Sequence, residues 1–124
     1  MAVEPEFEEL LRELFEPLGA VTLRRMFGGL GIFRHGLMFA VCSSDCIVAL
    51  KADQETIPAF ENEGCVEWMP HISGRKPISM GYWQVPERLL EEPDAMRDWA
   101  VKAFDAAVRI DQAKPKSKRK LQIY

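Results

Sequence analysis

The thiols and imidazoles that could ligate a soft or borderline metal or carry redox chemistry in this sequence are Cys42, Cys46 and Cys65, with His35 and His71. Cys42 and Cys46 flank Ser43-Ser44-Asp45 and could face each other across a hairpin, as a redox or metal pair would. No second cysteine pair or clustered histidine completes a tetrahedral zinc set. An odd number of cysteines in apolar surroundings reads as reduced, mostly buried thiols. His35 falls in a turn and His71 in a polar loop, where solvated side chains are the ordinary state. Ser43, Ser44, Ser73 and Ser79 could serve as nucleophiles only beside a base, and none lies in a G-x-S-x-G elbow. Glu8, Glu9, Glu13, Glu87, Glu91 and Glu92 sit where a helix would present a solvated face. No catalytic residue, cofactor or metal follows from these types and spacings.

Two further groups could make contacts. Arg24-Arg25-Met26-Phe27-Gly28-Gly29-Leu30-Gly31-Ile32-Phe33 places three glycines within a run of cationic and large apolar side chains. It lacks the G-x-G-x-x-G spacing and the Gly-Lys-Ser/Thr ending of phosphate loops, so Gly28, Gly29 and Gly31 read as a structural corner where two strands meet. Arg24 and Arg25, with Tyr82 and Trp83, are candidate partner contacts. The second group is Lys114, Lys116, Lys118, Arg119 and Lys120, a candidate nucleic-acid contact. Residues 112–124 hold five cations and no acid, and with a net charge of −3 overall the first 111 residues carry −8. Such a body repels nucleic acid in general, leaving the tail and local basic patches such as Arg24, Arg34, Arg75 and Lys76 to make any contact.

The elements that must position these groups follow from periodicity. Phe7, Leu10, Leu11, Leu14, Phe15 and Leu18 recur on one helical face, opposite Glu8, Glu9, Arg12, Glu13 and Glu16. Residues 20–26 alternate as a strand, which puts one arginine on a largely apolar face. Residues 30–34, 37–42 and 46–51 are apolar runs joined by His35-Gly36 and Ser43-Ser44-Asp45. Connections this short imply antiparallel neighbours, hence a meander. Asp53 is suited to cap a short helix over 54–63, with Gly64 ending it. Residues 65–69 and 78–85 read as two more strands around the loop 71–77. Met96, Trp99, Ala100, Ala103, Phe104, Ala107 and Val108 form the face of a last helix opened by Pro93, and the pattern stops after Ile110. The expected fold is α+β, an antiparallel meander sheet of about five to six strands with N-terminal, middle and C-terminal helices packed on it. One domain over 1–111 is followed by a basic flexible tail over 112–124, whose end at Ile123 and Tyr124 could dock on a partner. No apolar run approaches the roughly 20 residues that cross a bilayer, and the acidic start is unlike a signal peptide, so a cytoplasmic location is expected. Strand-borne aromatics and uncovered sheet edges suggest a two-fold homodimer.

Taken in order, Arg24-Arg25-Met26-Phe27-Gly28-Gly29, Gly36-Leu37-Met38-Phe39-Ala40, Leu50-Lys51-Ala52-Asp53, Pro77-Ile78-Ser79-Met80, Tyr82 and Val85-Pro86-Glu87 resemble the N-terminal domain of the TfoX/Sxy family, with Trp99 also fitting. The likeness runs from about Phe7 to Val108. It implies a bacterial protein of a family whose larger members regulate competence genes, act with the cyclic-AMP receptor protein at promoters, and carry a second, C-terminal domain. The family has no established catalytic residues, so none is carried over. The expectation is therefore a stand-alone, non-enzymatic regulatory domain working through a protein partner in the transcription machinery. A nucleic-acid-binding module using the basic tail is the alternative, and a small-molecule enzyme the second alternative.

Overall fold

The computed structural model describes residues 3–26, 28–70 and 79–122. The chain begins with helix α1 (Pro5–Phe15), followed by a 3₁₀ turn over Glu16–Leu18. Pro5 fits the first turn, where its missing N–H has no partner to lose, and Glu6 and Glu8 lie at the positive end of the helix dipole. Four strands follow as a meander: β1 (Val21–Met26), β2 (Gly29–Arg34), β3 (Leu37–Cys42) and β4 (Val48–Lys51). After the short helix α2 (Ile57–Asn62), strand β5 (Tyr82–Gln84) returns beside β4. A 3₁₀ segment, Glu87–Glu91, leads into the long helix α3 (Pro93–Gln112). The five strands lie in the order β1-β2-β3-β4-β5, every pair antiparallel. The fold is α+β.

One bulge decides which side chains reach the core. Ile32 pairs with Ala40 while Phe33 pairs with Met38, so β3 carries one residue more than β2, and that residue is Phe39. The extra residue lets Phe39 and Ala40 both turn away from solvent. Phe39 meets Phe15 of α1 and Phe104 of α3 edge-on, at centroid distances of 5.7 and 6.2 Å. These rings tie both long helices to one face of the sheet, together with Leu11, Leu14, Ile32, Leu50 and Met96. Gly28, at φ 79°, supplies the left-handed residue in the β1–β2 connection. Phe27 lies outside the described residues.

Several elements differ from the sequence expectation. Residues 65–69 form an isolated bridge, Glu67 with Trp83, held by two backbone hydrogen bonds, rather than a strand. The strand expected over 78–85 narrows to β5. Helix α2 starts at Ile57 because Asp53 builds a turn of its own: its carboxylate accepts from the Glu55 N–H, and its N–H donates to the Thr56 hydroxyl. Helix α3 continues past Ile110 to Gln112. Leu10, read as part of the apolar face of α1, is exposed. The loop containing His71, Arg75 and Lys76, and the terminal residues Ile123 and Tyr124, lie outside the described residues.

Candidate functional site

With both long helices on one face, the opposite face of the sheet has a cover of its own. Val41, Ala49 and Tyr82 are buried there beneath Met38 and Trp68. Toward β1 this face opens into a cleft of about 340 Å³ at the C-terminal end of α3. Gly31 shapes its floor. A Cβ at that position would stand 2.5 Å from the Met26 sulfur, 2.8 Å from the Met38 sulfur and 2.9 Å from the Phe33 ring, so the missing side chain is what lets these three converge over β2.

The cleft is cationic. Arg24, Lys51, Lys114 and Lys120 line it. Among the described residues none of the four is in an ion pair. The Arg24 guanidinium lies 5.5 Å from the Phe33 ring centroid, and the Lys51 ammonium 4.6 Å from that of Tyr82. Lys51 also donates to the Met80 carbonyl at 3.0 Å. Burial lowers its pKa, and the neighbouring charge of Lys114 lowers it further. The phenol of Tyr82 donates to the Met38 carbonyl at 3.3 Å, and burial raises its pKa, so it stays protonated.

Two of those cations come from the segment read in the sequence as a free tail. Asp111, 1% exposed, accepts from the backbone N–H of Lys120 at 2.8 Å and of Leu121 at 3.1 Å. The Gln122 N–H donates to the His35 carbonyl at 2.7 Å. A 3₁₀ turn over Lys116–Lys118 lets the chain reverse, and Leu121 packs against the core. The segment is thus a strap across the β2–β3 turn. Gly36 makes room for it, since a Cβ there would lie 2.6 Å from the Lys120 carbonyl oxygen. Burial pushes the Asp111 carboxyl upward in pKa, but the two backbone donors and nearby Lys114 outweigh it and hold the group below its ordinary value. Lys116, Lys118 and Arg119 point into solvent, with Arg119 donating to the Lys114 carbonyl at 3.1 Å.

The structure separates the four residues named as partner contacts. Arg24 belongs to the cleft. Arg25 sits on the helix side of β1, where it meets the Glu8 carboxylate at 2.7 Å and donates to the Val3 carbonyl at 3.3 Å. This is the arginine that alternation places on an apolar face, and α1 supplies its counter-charge. Tyr82 is 3% exposed and offers almost nothing to a partner. Trp83 packs on the helix side against Phe60, with centroids 6.1 Å apart. Arg34 lies there too, 4.8 Å from the Phe104 ring centroid. Of the glycines, Gly28 belongs to the connection, while Gly29 and Gly31 are β2 residues that neighbours approach closely.

The thiols are all free, but they are not equally buried. Cys42 is enclosed, and burial together with Cys46 pushes its pKa up to about 12. Cys46, expected to be buried, is exposed because the chain turns there with φ 63°. Among the described residues no three His, Cys, Asp or Glu side chains gather as a metal set.

Sequence periodicity missed one surface. Five large hydrophobic residues are well exposed among those described, and three of them, Val66, Met69 and Met80, lie on two adjoining segments beside Trp68. Those segments are joined by the bonds Trp68 N–H to Tyr82 carbonyl and Gln84 N–H to Val66 carbonyl, and by the Ser79 hydroxyl on the Glu67 carboxylate. The sequence carries the signal as apolar residues around a polar loop, which alternation reads as strands.

Comparison with known proteins places the chain. Residues 13–107 match the family described as the TfoX N-terminal domain. The chain belongs to that family. The matched span of this TfoX-type domain contains the sheet and most of α3, so the cleft floor lies within it and the strap beyond it. The domain is also 27% identical over 111 residues to the DNA transformation protein TfoX1 of Aliivibrio fischeri. The alignment covers 90% of this chain and 52% of the relative, so the chain spans about half the length of the curated relative it matches. Among the described residues, no helix is long and apolar enough to cross a membrane.

Proposed function

We propose that this TfoX-type domain is a non-enzymatic regulatory module that docks on a protein partner of the transcription apparatus. The observation that carries the reading is the apolar ridge of Val66, Met69 and Met80 beside Trp68. Three large hydrophobic side chains grouped at a sheet edge lose water when another protein covers them, whereas scattered ones would carry no such message. Membership in the TfoX N-terminal domain family, and similarity to a relative named as a DNA transformation protein, support a regulatory role in DNA uptake. Among the described residues none of these side chains is hydrogen-bonded to residues 112–122, and partner binding is expected to survive removal of the basic segment.

The test is affinity capture from the source cell with the full chain, with Val66→Asp/Met80→Asp, and with a chain ending at residue 112. A partner bound by the full chain and by the truncated chain, but lost from the double variant, supports the reading. A partner retained by the double variant, or capture of nucleic acid alone that disappears with the strap, refutes it. The outer edge of β1 also supports pairing of two copies, since no strand lies against it among the described residues. Light scattering at high micromolar concentration should then give twice the chain mass, and a monomer mass would reject the pairing.

A further inference from the structure

We propose that the cleft between the open sheet face and the strap is a binding site for a small organic phosphate, its charged group among Arg24, Lys51, Lys114 and Lys120 and its apolar body over Phe33 and Met38. Three independent features of the chain converge on this site. The first is charge: four cations line one concavity without an ion-pair partner among the described residues. Asp111, the one carboxylate in the lining, already has both oxygens engaged by the strap backbone. Lys51 is half-buried and the other three are exposed at the rim, so a dianion placed among them would relieve their mutual repulsion most at Lys51.

The second is shape. A volume of about 340 Å³ is at the scale of small-ligand pockets. Its apolar wall exists because Gly31 leaves space for Met26, Met38 and Phe33 to fold together. A thioether and ring surface of this kind has no use for a bare inorganic ion, but it accommodates a flat or aliphatic body attached to one.

The third is construction. The two lysines from the strap are held at the cleft by Asp111, by the bond from Gln122 to His35, and by the opening at Gly36. A solvated basic tail needs none of these. The −8 charge carried by residues 1–111 opposes a long polyanion running over the surface, whereas a small dianion inside the cleft meets four lining cations and a single carboxylate, Asp111. The geometry therefore favours a small phosphate ester over nucleic acid.

The experiment follows the methyl signals of ¹³C-methionine-labelled full-length protein during titration with phenyl phosphate and, separately, inorganic phosphate. Saturable shifts at Met26 and Met38 are expected, with phenyl phosphate binding at least about tenfold more tightly than inorganic phosphate. Lys51→Gln should weaken binding by about tenfold or more through the loss of one charge-assisted contact. Lys120→Gln, an exposed position whose side chain makes no hydrogen bond or ion pair among the described residues, provides a second variant that leaves the strap's backbone bonds in place and whose affinity should also fall. Shifts that never saturate overturn the proposal. Equal affinity for the two probes removes the organic body from it, and an affinity unchanged in both variants removes the cleft.

Discussion

Replacing Asp111 by alanine tests whether the strap is part of the fold. The carboxylate accepts two backbone hydrogen bonds, from Lys120 at 2.8 Å and from Leu121 at 3.1 Å, while itself only 1% exposed. Hydrogen bonds to a charged acceptor contribute about 1.5–3 kcal/mol each. The full sum is not expected, because the two freed N–H groups return to water and the end of the strap regains part of its backbone freedom. A net loss of about 2–3 kcal/mol is the consequence. In a chain of this size each kcal/mol moves the thermal midpoint by roughly 3–5 °C, so the midpoint should fall by about 6–15 °C. Trypsin adds a local readout, since release exposes the backbone after Lys116, Lys118, Arg119 and Lys120 to cleavage. Native protein should resist cutting there, and Asp111→Ala should be trimmed quickly to a stable body. A midpoint shift below about 2 °C with an unchanged trimming rate would refute the reasoning, because the strap would then be held by something other than the carboxylate.

Gly29→Ala should destabilise by about 2–4 kcal/mol in urea unfolding, since its Cβ would sit on the Cys42 carbonyl oxygen, a backbone atom fixed by β-sheet pairing. A loss under about 0.5 kcal/mol would mean that β2 and β3 shift apart without cost. In native protein treated briefly with iodoacetamide near pH 8, mass spectrometry should find Cys46 labelled first and Cys42 unmodified, the latter's pKa being pushed up to about 12 by burial. Equal labelling of the two would contradict the enclosure of Cys42. The Asp53 carboxyl is held below its ordinary pKa chiefly by hydrogen bonds from Arg109, at 2.6 and 3.0 Å, with burial opposing. A depressed folded value gives stability that is complete above the unfolded carboxyl range and lost as pH falls through the folded value. The gap between wild type and Arg109→Gln, about 1 kcal/mol or less for so exposed a pair, should therefore be present at pH 7 and close below about pH 4. A gap that persists at pH 2 would show that Arg109 acts through packing.

The sequence by itself determined the element order, because the information needed was local. Helical spacing in residues 7–18 and 96–108, alternation in 20–26, and turns at His35-Gly36 and Ser43 to Asp45 dictate helices and an antiparallel meander. The ordered blocks from Arg24 to Glu87 carried the family. Alternation also placed one arginine of the Arg24-Arg25 pair on the apolar face, although only folding brought Glu8 to meet it. What the tertiary structure decided depended on distant partners. The Phe39 bulge is set by pairing with Ile32 and Phe33, and it reverses the facing of part of β3 in a way that a period-two reading cannot register. Tyr82 and Trp83 alternate in sequence, yet their exposure depends on what covers each face, which is Trp68 on one side and Phe60 on the other. The basic segment is the plainest case. Composition marks Lys114 to Lys120 as solvated, and nothing within it signals order; its position comes from one buried carboxylate on the preceding helix and the space above a glycine in a turn some 80 residues earlier. Local pattern specifies what each segment can become, whereas the pairing of backbone donors with a buried charge exists only once the chain has closed on itself.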